Sequence, residues 1–138
     1  MIIDKIKQKG VEISVLDGAD RLQYLIDIAS ENSSLGNEHK IEKNKITGCA
    51  SNLWVIGHKQ KDNSMLYQFD ADSFITKGTA KLVIDILNNE QASEIAELSR
   101  ENFRTLGILE LLTAQRQSGL SNLIDTLVKI AKNNISQS

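Results

Sequence analysis

Apolar residues that recur every three or four positions predict several helices in this chain. The clearest stripe lies near the end of the sequence and comprises Leu120, Leu123, Ile124, Leu127, Val128 and Ala131. An earlier stripe within 19–30 follows Asp17 and Asp20, and either carboxylate can cap the first turn of a helix. Weaker helical patterns occupy the segments 2–9, 92–98 and 103–112, the last with an interruption near Gly107. The chain is therefore predicted to be rich in helix.

A further helix is predicted to begin after Asp72 or Ser73, because both have the short polar side chains that helix N-caps favour. Its apolar face comprises Ile75, Thr79, Leu82, Val83, Ile86 and Leu87. Gly78 lies in its first turn, where a glycine costs about 1 kcal/mol relative to alanine. We therefore expect Gly78 to pack closely against a neighbouring backbone.

Alternation of apolar and polar residues predicts three short strands in the middle of the chain. They lie around Ile46, within 51–60 and within 65–72. The polar segment 61–64 is suited to a hairpin between the last two, and the turn-rich segment 30–44 is expected to be a loop. Strands grouped between helices indicate an α+β fold, in which a three-stranded antiparallel β-meander packs against several α-helices.

Composition narrows the possible partners and compartments. The 138 residues suit one domain, predicted to span 1–138. Lys and Arg total 16 and Asp and Glu total 18, so the formal net charge is -2, which argues against a nucleic-acid partner. No apolar stretch approaches the roughly 18 to 20 residues that span a bilayer, and the first residues lack a hydrophobic signal core. We therefore expect a cytoplasmic protein with no membrane partner.

The chain contains one cysteine, Cys49, within the stretch NKITGCASNLW. A single thiol permits no internal disulfide and excludes an all-cysteine metal site within one chain. His39 and His58 have no metal-ligand spacing to Cys49, so no metal is predicted. Two interpretations of the thiol are open, a small buried apolar residue and a reactive group. Its place beside Gly48, at the predicted reversal between two strands, favours an accessible functional position.

Other polar residues have both structural and chemical interpretations. Asp70 and Asp72 form a pair that either binds Mg²⁺ or provides a helix N-cap. Lys77 precedes Gly78 without the glycine-rich lead-in of a phosphate-binding loop. Arg116 lies just before the predicted last helix, either as a solvated side chain ahead of a serine cap or as a functional cation. Because no G-x-S-x-G elbow accompanies them, a reaction by this chain would have to use its single thiol.

Four motifs in the same order resemble the SufE family of sulfur-acceptor proteins, over residues 21–131. They are RLQYLIDIA, NKITGCASNLW, DADSFITKG and LTAQRQSGL. The second resembles the signature N-x-[IV]-x-G-C-x-S-x-[VL]-W, matched by Asn44, Ile46, Gly48, Cys49, Ser51 and Trp54. The matching residues of the last two are Asp70, Asp72, Ile75, Lys77, Gly78, Leu112, Thr113, Arg116, Gly119 and Leu120. The sequence departs from the family at Ala50 and Asn52, where glutamines are frequent, and at Gly36, where a proline is usual.

The resemblance implies a fold of the SufE and IscU type and a role in iron–sulfur cluster assembly. A partner cysteine desulfurase of the SufS type, which holds the PLP cofactor itself, would pass persulfide sulfur to Cys49, and a downstream cluster scaffold would receive it. No cofactor is expected on this chain, which is expected to be a monomer or weak homodimer. The residues with an implied support or partner-docking role are Gly48, Ser51, Trp54, Asp72, Lys77, Gly78 and Arg116.

Sulfur exchange requires direct contact between two sulfur atoms, so Cys49 is expected on a protruding, movable loop with backbone freedom supplied by Gly48. Apolar residues of the adjoining strand would line a pocket that shields the persulfide. Two other functions remain open. A regulator that binds the desulfurase without carrying sulfur would not need the thiol. A cluster scaffold needs about three or four thiolate or imidazole ligands, which one cysteine supplies only if two chains share a cluster.

Overall fold

The computed structural model describes residues 2–29, 35–48, 52–108 and 111–135. Its helices and strands are α1 (Ile2–Ser14), α2 (Gly18–Ala29), β1 (Leu53–Lys59), β2 (Met65–Ala71), α3 (Phe74–Leu87), α4 (Ala92–Ile95) and α5 (Ala114–Ile135). Short 3₁₀ helices occupy Asn37–His39, Glu42–Asn44 and Arg100–Leu106. None of the helices in these ranges combines the length and apolar character needed to cross a membrane. The predicted α+β class is confirmed.

The last helix, α5, begins earlier than the sequence predicts. The Thr113 hydroxyl oxygen accepts a hydrogen bond from the Arg116 N–H at 3.3 Å, so Thr113 caps a helix that starts at Ala114. Arg116 therefore belongs to the first turn of α5, and the predicted serine cap after it is wrong. The expected interruption at Gly107 is present, since this residue has a φ of 68° and ends a 3₁₀ helix.

The strands β1 and β2 form a two-stranded antiparallel sheet, with Leu53 opposite Ala71 at one end and Lys59 opposite Met65 at the other. Asn63 lies in the turn between them with a φ of 71°, a left-handed conformation that asparagine tolerates. The buried residues of β2 alternate along the strand and are Met65, Tyr67, Phe69 and Ala71. The hairpin and the buried face of β2 are therefore as the alternation predicts.

The third strand predicted around Ile46 is not formed among the described residues, and the meander has two strands instead of three. The segment makes one isolated antiparallel bridge, from Lys45 to Trp54, and the Ile46 N–H donates to the Leu53 carbonyl at 2.8 Å. A 3₁₀ helix ends immediately before this bridge, and Gly48 adopts a left-handed φ of 82° soon after it. The extended stretch is therefore too short for a strand.

The core lies where α3 and α5 pack against the sheet and α2 packs against α3. Fully buried side chains in these elements include Leu25, Val83, Leu87, Leu123 and Leu127. Tyr67 extends from β2 into this core, and its hydroxyl donates to the Leu127 carbonyl at 2.7 Å. Burial raises the pKa of Tyr67, because the charged phenolate would lose its hydration. This hydrogen bond joins β2 to α5 within the apolar interior.

Candidate functional site

Residues 47–52, called the cysteine segment below, contain Cys49 and connect the isolated bridge to β1. The residues on either side of this segment are held side by side by the hydrogen bond from the Ile46 N–H to the Leu53 carbonyl. The chain therefore reverses direction between them, in the place where the sequence predicts a reversal. Cys49 and Ser51 lie outside the described residues, so their roles stay predictions.

The end of the cysteine segment is bound to the residue that precedes the N-cap of α3. The Asn52 side-chain Nδ2 donates to the Asp72 carboxylate at 2.8 Å, and the Asp72 N–H donates to the Asn52 carbonyl at 3.0 Å. The cap of α3 is Ser73, whose hydroxyl oxygen accepts from the Thr76 N–H. Of the two predicted caps, Asp72 is therefore the wrong one. Its carboxylate anchors Asn52 instead.

Asp70 is the centre of a cluster of charges beside Trp54. Its carboxylate lies 2.5 Å from Lys40 Nζ and 3.2 Å from Lys77 Nζ, and its side chain is only 13% exposed. Lys40 Nζ also lies 5.6 Å from the centre of the Trp54 ring, within the range of a cation–π interaction. Asp70 and Asp72 thus have different partners supplied by the protein, which favours a structural interpretation of the pair over a Mg²⁺ site.

A small cavity of about 20 Å³ lies next to the start of β1. Its lining residues come from β1, α3, the segment before α5, and α5, and are Leu53, Thr76, Thr79, Ala80, Leu112, Arg116, Gly119, Leu120 and Leu123. Arg116 contributes the positive charge. Among the residues that the structure describes, its Nε atom is buried and has no hydrogen-bond partner. A buried donor without a partner is costly, and Arg116 also lines the cavity, so its positive charge would favour an anionic group there.

A contact that the sequence did not predict joins the cysteine segment to α5. Asn122 Nδ2 donates a hydrogen bond to the Thr47 carbonyl at 2.7 Å. Lys40 was missed as well, because it lies in the polar stretch interpreted as a loop, 30 positions before its partner Asp70 by residue number. Neither residue carries a local sequence signal. Their roles follow only from contacts between distant parts of the chain.

Gly78 has a different location from the other predicted site residues. A Cβ atom built on it would lie 1.9 Å from the Leu25 carbonyl oxygen, so the backbones of α2 and α3 touch there. This confirms the expected close packing and makes Gly78 a residue of the helix interface. The structure therefore brings together two groups near the cysteine segment, one around Asp70 and one around Arg116.

The described residues thus define an α+β protein in which the cysteine segment is anchored at Thr47 and Asn52, and in which a small cavity lined by Arg116 lies at the start of β1. The family whose profile matches this chain is SufE, described as an Fe-S metabolism associated domain, and the match covers residues 11–131. The chain belongs to the SufE family. That membership associates it with iron–sulfur metabolism.

Individual relatives agree with this assignment. An uncharacterized SufE-like protein of Rhizobium etli is 32% identical over 120 residues, which are 84% of this chain and 81% of the relative. SufE-like protein 1, chloroplastic/mitochondrial, of Arabidopsis thaliana is 28% identical over 118 residues, covering 86% of this chain and 32% of that protein. The solution structure of a hypothetical protein from Thermus thermophilus has a TM-score of 0.79 at 19% identity, and 96% of each chain is covered. That structure supports the fold.

Proposed function

We propose that this protein accepts persulfide sulfur on Cys49 from a PLP-dependent cysteine desulfurase of the SufS type, stimulates that enzyme, and delivers the sulfur for iron–sulfur cluster assembly. Membership of the SufE family supports the proposal. The observation that carries it is the position of the only cysteine, which follows the left-handed Gly48 in a segment anchored at both ends. The PLP belongs to the partner, and this chain needs no cofactor of its own.

The proposed reaction is an exchange between two sulfur atoms. The Cys49 thiolate attacks the terminal sulfur of the persulfide on the desulfurase, the S–S bond of that persulfide breaks, and the enzyme cysteine leaves as a thiolate. The proton lost by Cys49 is balanced by the one gained by the leaving thiolate. The transferred sulfur keeps its oxidation state, so no external oxidant or reductant is needed. A second exchange of the same kind passes the sulfur to the downstream scaffold.

The surroundings of the cysteine segment supply groups suited to this chemistry. Thiolates and persulfides are anions, and a nearby cation makes them easier to form. Arg116, which lines the cavity beside Leu53, would provide this cation. The apolar lining of the cavity would limit the access of water and small thiols to bound sulfur. Arg116 is therefore assigned the support of the anionic sulfur.

We assign the remaining predicted residues to a surface on which the desulfurase would dock, where they determine its shape and charge. Trp54 is held in place by Lys40, which Asp70 also binds. Lys77 completes this cluster at the start of α3, and Asp72 anchors Asn52. Gly48 provides the turn, and Ser51 keeps its predicted supporting role. These residues would present the cysteine segment to the desulfurase.

The test separates sulfur carriage from regulation alone. A SufS-type desulfurase is assayed for alanine formation from cysteine with the wild-type protein and with Cys49→Ser, while the affinity of each for the enzyme is measured by calorimetry. We expect Cys49→Ser to bind with the wild-type Kd but to give no stimulation, because the enzyme persulfide then has no acceptor. Full stimulation by Cys49→Ser would establish the regulator that carries no sulfur.

A further inference from the structure

We propose that Asn122 is a positioning residue for Cys49 and that it acts by fixing the Thr47–Gly48 peptide against α5. The inference rests on the proposed function, because it explains how the acceptor thiol would be presented. The first observation is the hydrogen bond of 2.7 Å from Asn122 Nδ2 to the Thr47 carbonyl. It joins the beginning of the cysteine segment to a helix whose apolar face is part of the core.

Gly48 supplies a second, independent observation. A Cβ atom built on Gly48 would lie 2.5 Å from Asn122 Nδ2, which is closer than real Cβ contacts. The asparagine amide therefore occupies the space in which any other residue at position 48 would place its side chain. The φ of 82° at Gly48 excludes most other residues on conformational grounds as well. The backbone at Gly48 and the side chain of Asn122 thus fit each other as a pair.

Covalent geometry connects this contact to the thiol. The peptide between Thr47 and Gly48 is planar, so holding its carbonyl oxygen fixes the orientation of the whole peptide unit. Only the φ and ψ angles of Gly48 then separate this fixed plane from the peptide of Cys49. At the other end of the segment, Asn52 is bound to Asp72 through two hydrogen bonds. The residue that carries the thiol is therefore connected to two anchored points, and Asn122 supplies the nearer of them.

Position affects the transfer reaction strongly, since exchange between two sulfur atoms on different proteins requires them to meet in line. Thr47 and Gly48 are both exposed, so the hydrogen bond at Thr47 contributes only about 1 kcal/mol to the global stability of the fold. Its loss would instead allow the start of the cysteine segment more orientations. A small reagent would then reach the thiol more often. A large partner would meet it in the productive orientation less often.

The test uses Asn122→Leu, which removes the donor at nearly constant shape without adding a charge, and Asn122→Ala, which removes the side chain; both residues are good helix formers. The matched control is Asn134→Leu, because Asn134 is also on α5 but, among the described residues, its amide donates to the Ile130 carbonyl of the same helix. Two rates are measured for each full-length variant. One is alkylation of Cys49 by iodoacetamide, which is unambiguous because the chain has a single cysteine. The other is sulfur acceptance from a persulfidated SufS-type desulfurase.

Both Asn122 variants are expected to alkylate about two- to tenfold faster than wild type, which is the factor that one hydrogen bond supplies. Their kcat for sulfur acceptance is expected to fall by a similar factor at an unchanged KM, and the Asn134→Leu control should match wild type in both rates. Alkylation at or below the wild-type rate in either Asn122 variant would overturn the proposal. A fall in acceptance produced only by a higher KM would also overturn it.

The two proposals can fail separately. Absence of sulfur acceptance by the wild-type protein would contradict the proposed function. The alkylation rates would still decide whether Asn122 positions Cys49, because iodoacetamide needs no partner enzyme. Rapid alkylation of both Asn122 variants, at a temperature at which every variant stays folded, would support positioning. Equally rapid alkylation of the Asn134→Leu control would show general destabilisation of α5 and contradict it.

Discussion

Gly78 and Gly48 occupy two regions of the molecule that need glycine for different reasons. At Gly78, in α3, a Cβ atom would come within 1.9 Å of the Leu25 carbonyl oxygen, which belongs to the backbone of α2. At Gly48, the φ is 82° and, among the described residues, the nearest obstacle is the flexible side chain of Asn122, at 2.5 Å. The first glycine permits two helices to touch. The second permits a turn whose surroundings can move aside.

The two glycines thus distinguish a packed helix interface from a surface turn that is held by a side-chain hydrogen bond. The interface between α2 and α3 involves backbone atoms in a packed core, so it tolerates little displacement. The cysteine segment is held by individual hydrogen bonds to Asn122 and Asp72 near the surface, each worth about 1 kcal/mol. Substitutions in the first region should therefore affect the whole fold. Substitutions in the second should cost the fold less stability.

The largest expected effect is that of Gly78→Ala on global stability. The new methyl group would meet the Leu25 carbonyl, and α2 and α3 would have to separate. We expect the free energy of unfolding to fall by about 3 kcal/mol, the upper end for overpacking, because backbone atoms have to move. Urea denaturation followed by circular dichroism measures this quantity.

Gly18→Ala is the control for this substitution, because the nearest atom to its new Cβ is 3.9 Å away on the Leu111 side chain. Gly18 begins α2, where alanine should be neutral or stabilising by up to about 1 kcal/mol. Equal stability of the Gly78→Ala and Gly18→Ala proteins would show that the helices are not in tight contact.

A smaller loss in the free energy of unfolding is expected for Gly48→Ala. The left-handed φ costs a residue with a Cβ atom about 1 to 2 kcal/mol, and displacement of Asn122 adds the loss of its bond to Thr47. Gly107→Ala separates these contributions, because Gly107 has a φ of 68° and no atom of the described residues lies within 4 Å of its Cβ position. Gly48→Ala should destabilise more than Gly107→Ala by about 1 kcal/mol.

The same substitution in an Asn122→Ala background tests the coupling between the two residues. Because the obstructing amide is then absent, Gly48→Ala should cost only as much as Gly107→Ala. Thermal and urea unfolding of the four proteins of this cycle measure the coupling free energy. Strict additivity would contradict the contact between Gly48 and Asn122.

The smallest effect is expected for Asn52→Ala, which removes the side-chain bond to Asp72 and leaves the backbone bond in place. Hydrogen exchange of the Asp72 amide should become about two- to fivefold faster, as expected for loss of one exposed hydrogen bond, while global stability changes little. Gln23→Ala is the matched control, because it removes a similar exposed hydrogen bond, from the Gln23 side-chain amide to Asp27 on α2. An unchanged exchange rate at Asp72 would show that the side chain of Asn52 does not anchor the segment.

The sequence predicted best those elements whose signal is repeated over many residues. The apolar stripes of α2, α3 and α5 each extend over several turns, so single exceptions do not obscure them. The strand around Ile46 had too few residues for a comparable signal, and a 3₁₀ helix and a left-handed glycine shorten it on either side. Ser73 caps α3 and Asp72 does not, because Asp72 binds Asn52 instead. A local sequence pattern contains no information about that distant partner.

The candidate site shows the same limit. Single residues that match a motif, such as Gly48, Asp72 and Arg116, were found because their spacing resembles a known family. Lys40 and Asn122 were not found, because they contact the site across long distances along the sequence. Lysine and asparagine are common on exposed surfaces. Their partners here, Asp70 for Lys40 and Thr47 for Asn122, are brought near only by the packing of distant segments. The role of Cys49 stays a prediction.

The most direct test of the central claim is intact mass spectrometry of this protein after incubation with a SufS-type cysteine desulfurase, its PLP and free cysteine. The wild-type chain should gain the mass of one sulfur atom, peptide mapping should place that atom on Cys49, and a thiol reductant should remove it. Cys49→Ser should gain no mass under the same conditions. A wild-type chain that remains at its original mass while the desulfurase is demonstrably persulfidated would contradict sulfur acceptance by this protein.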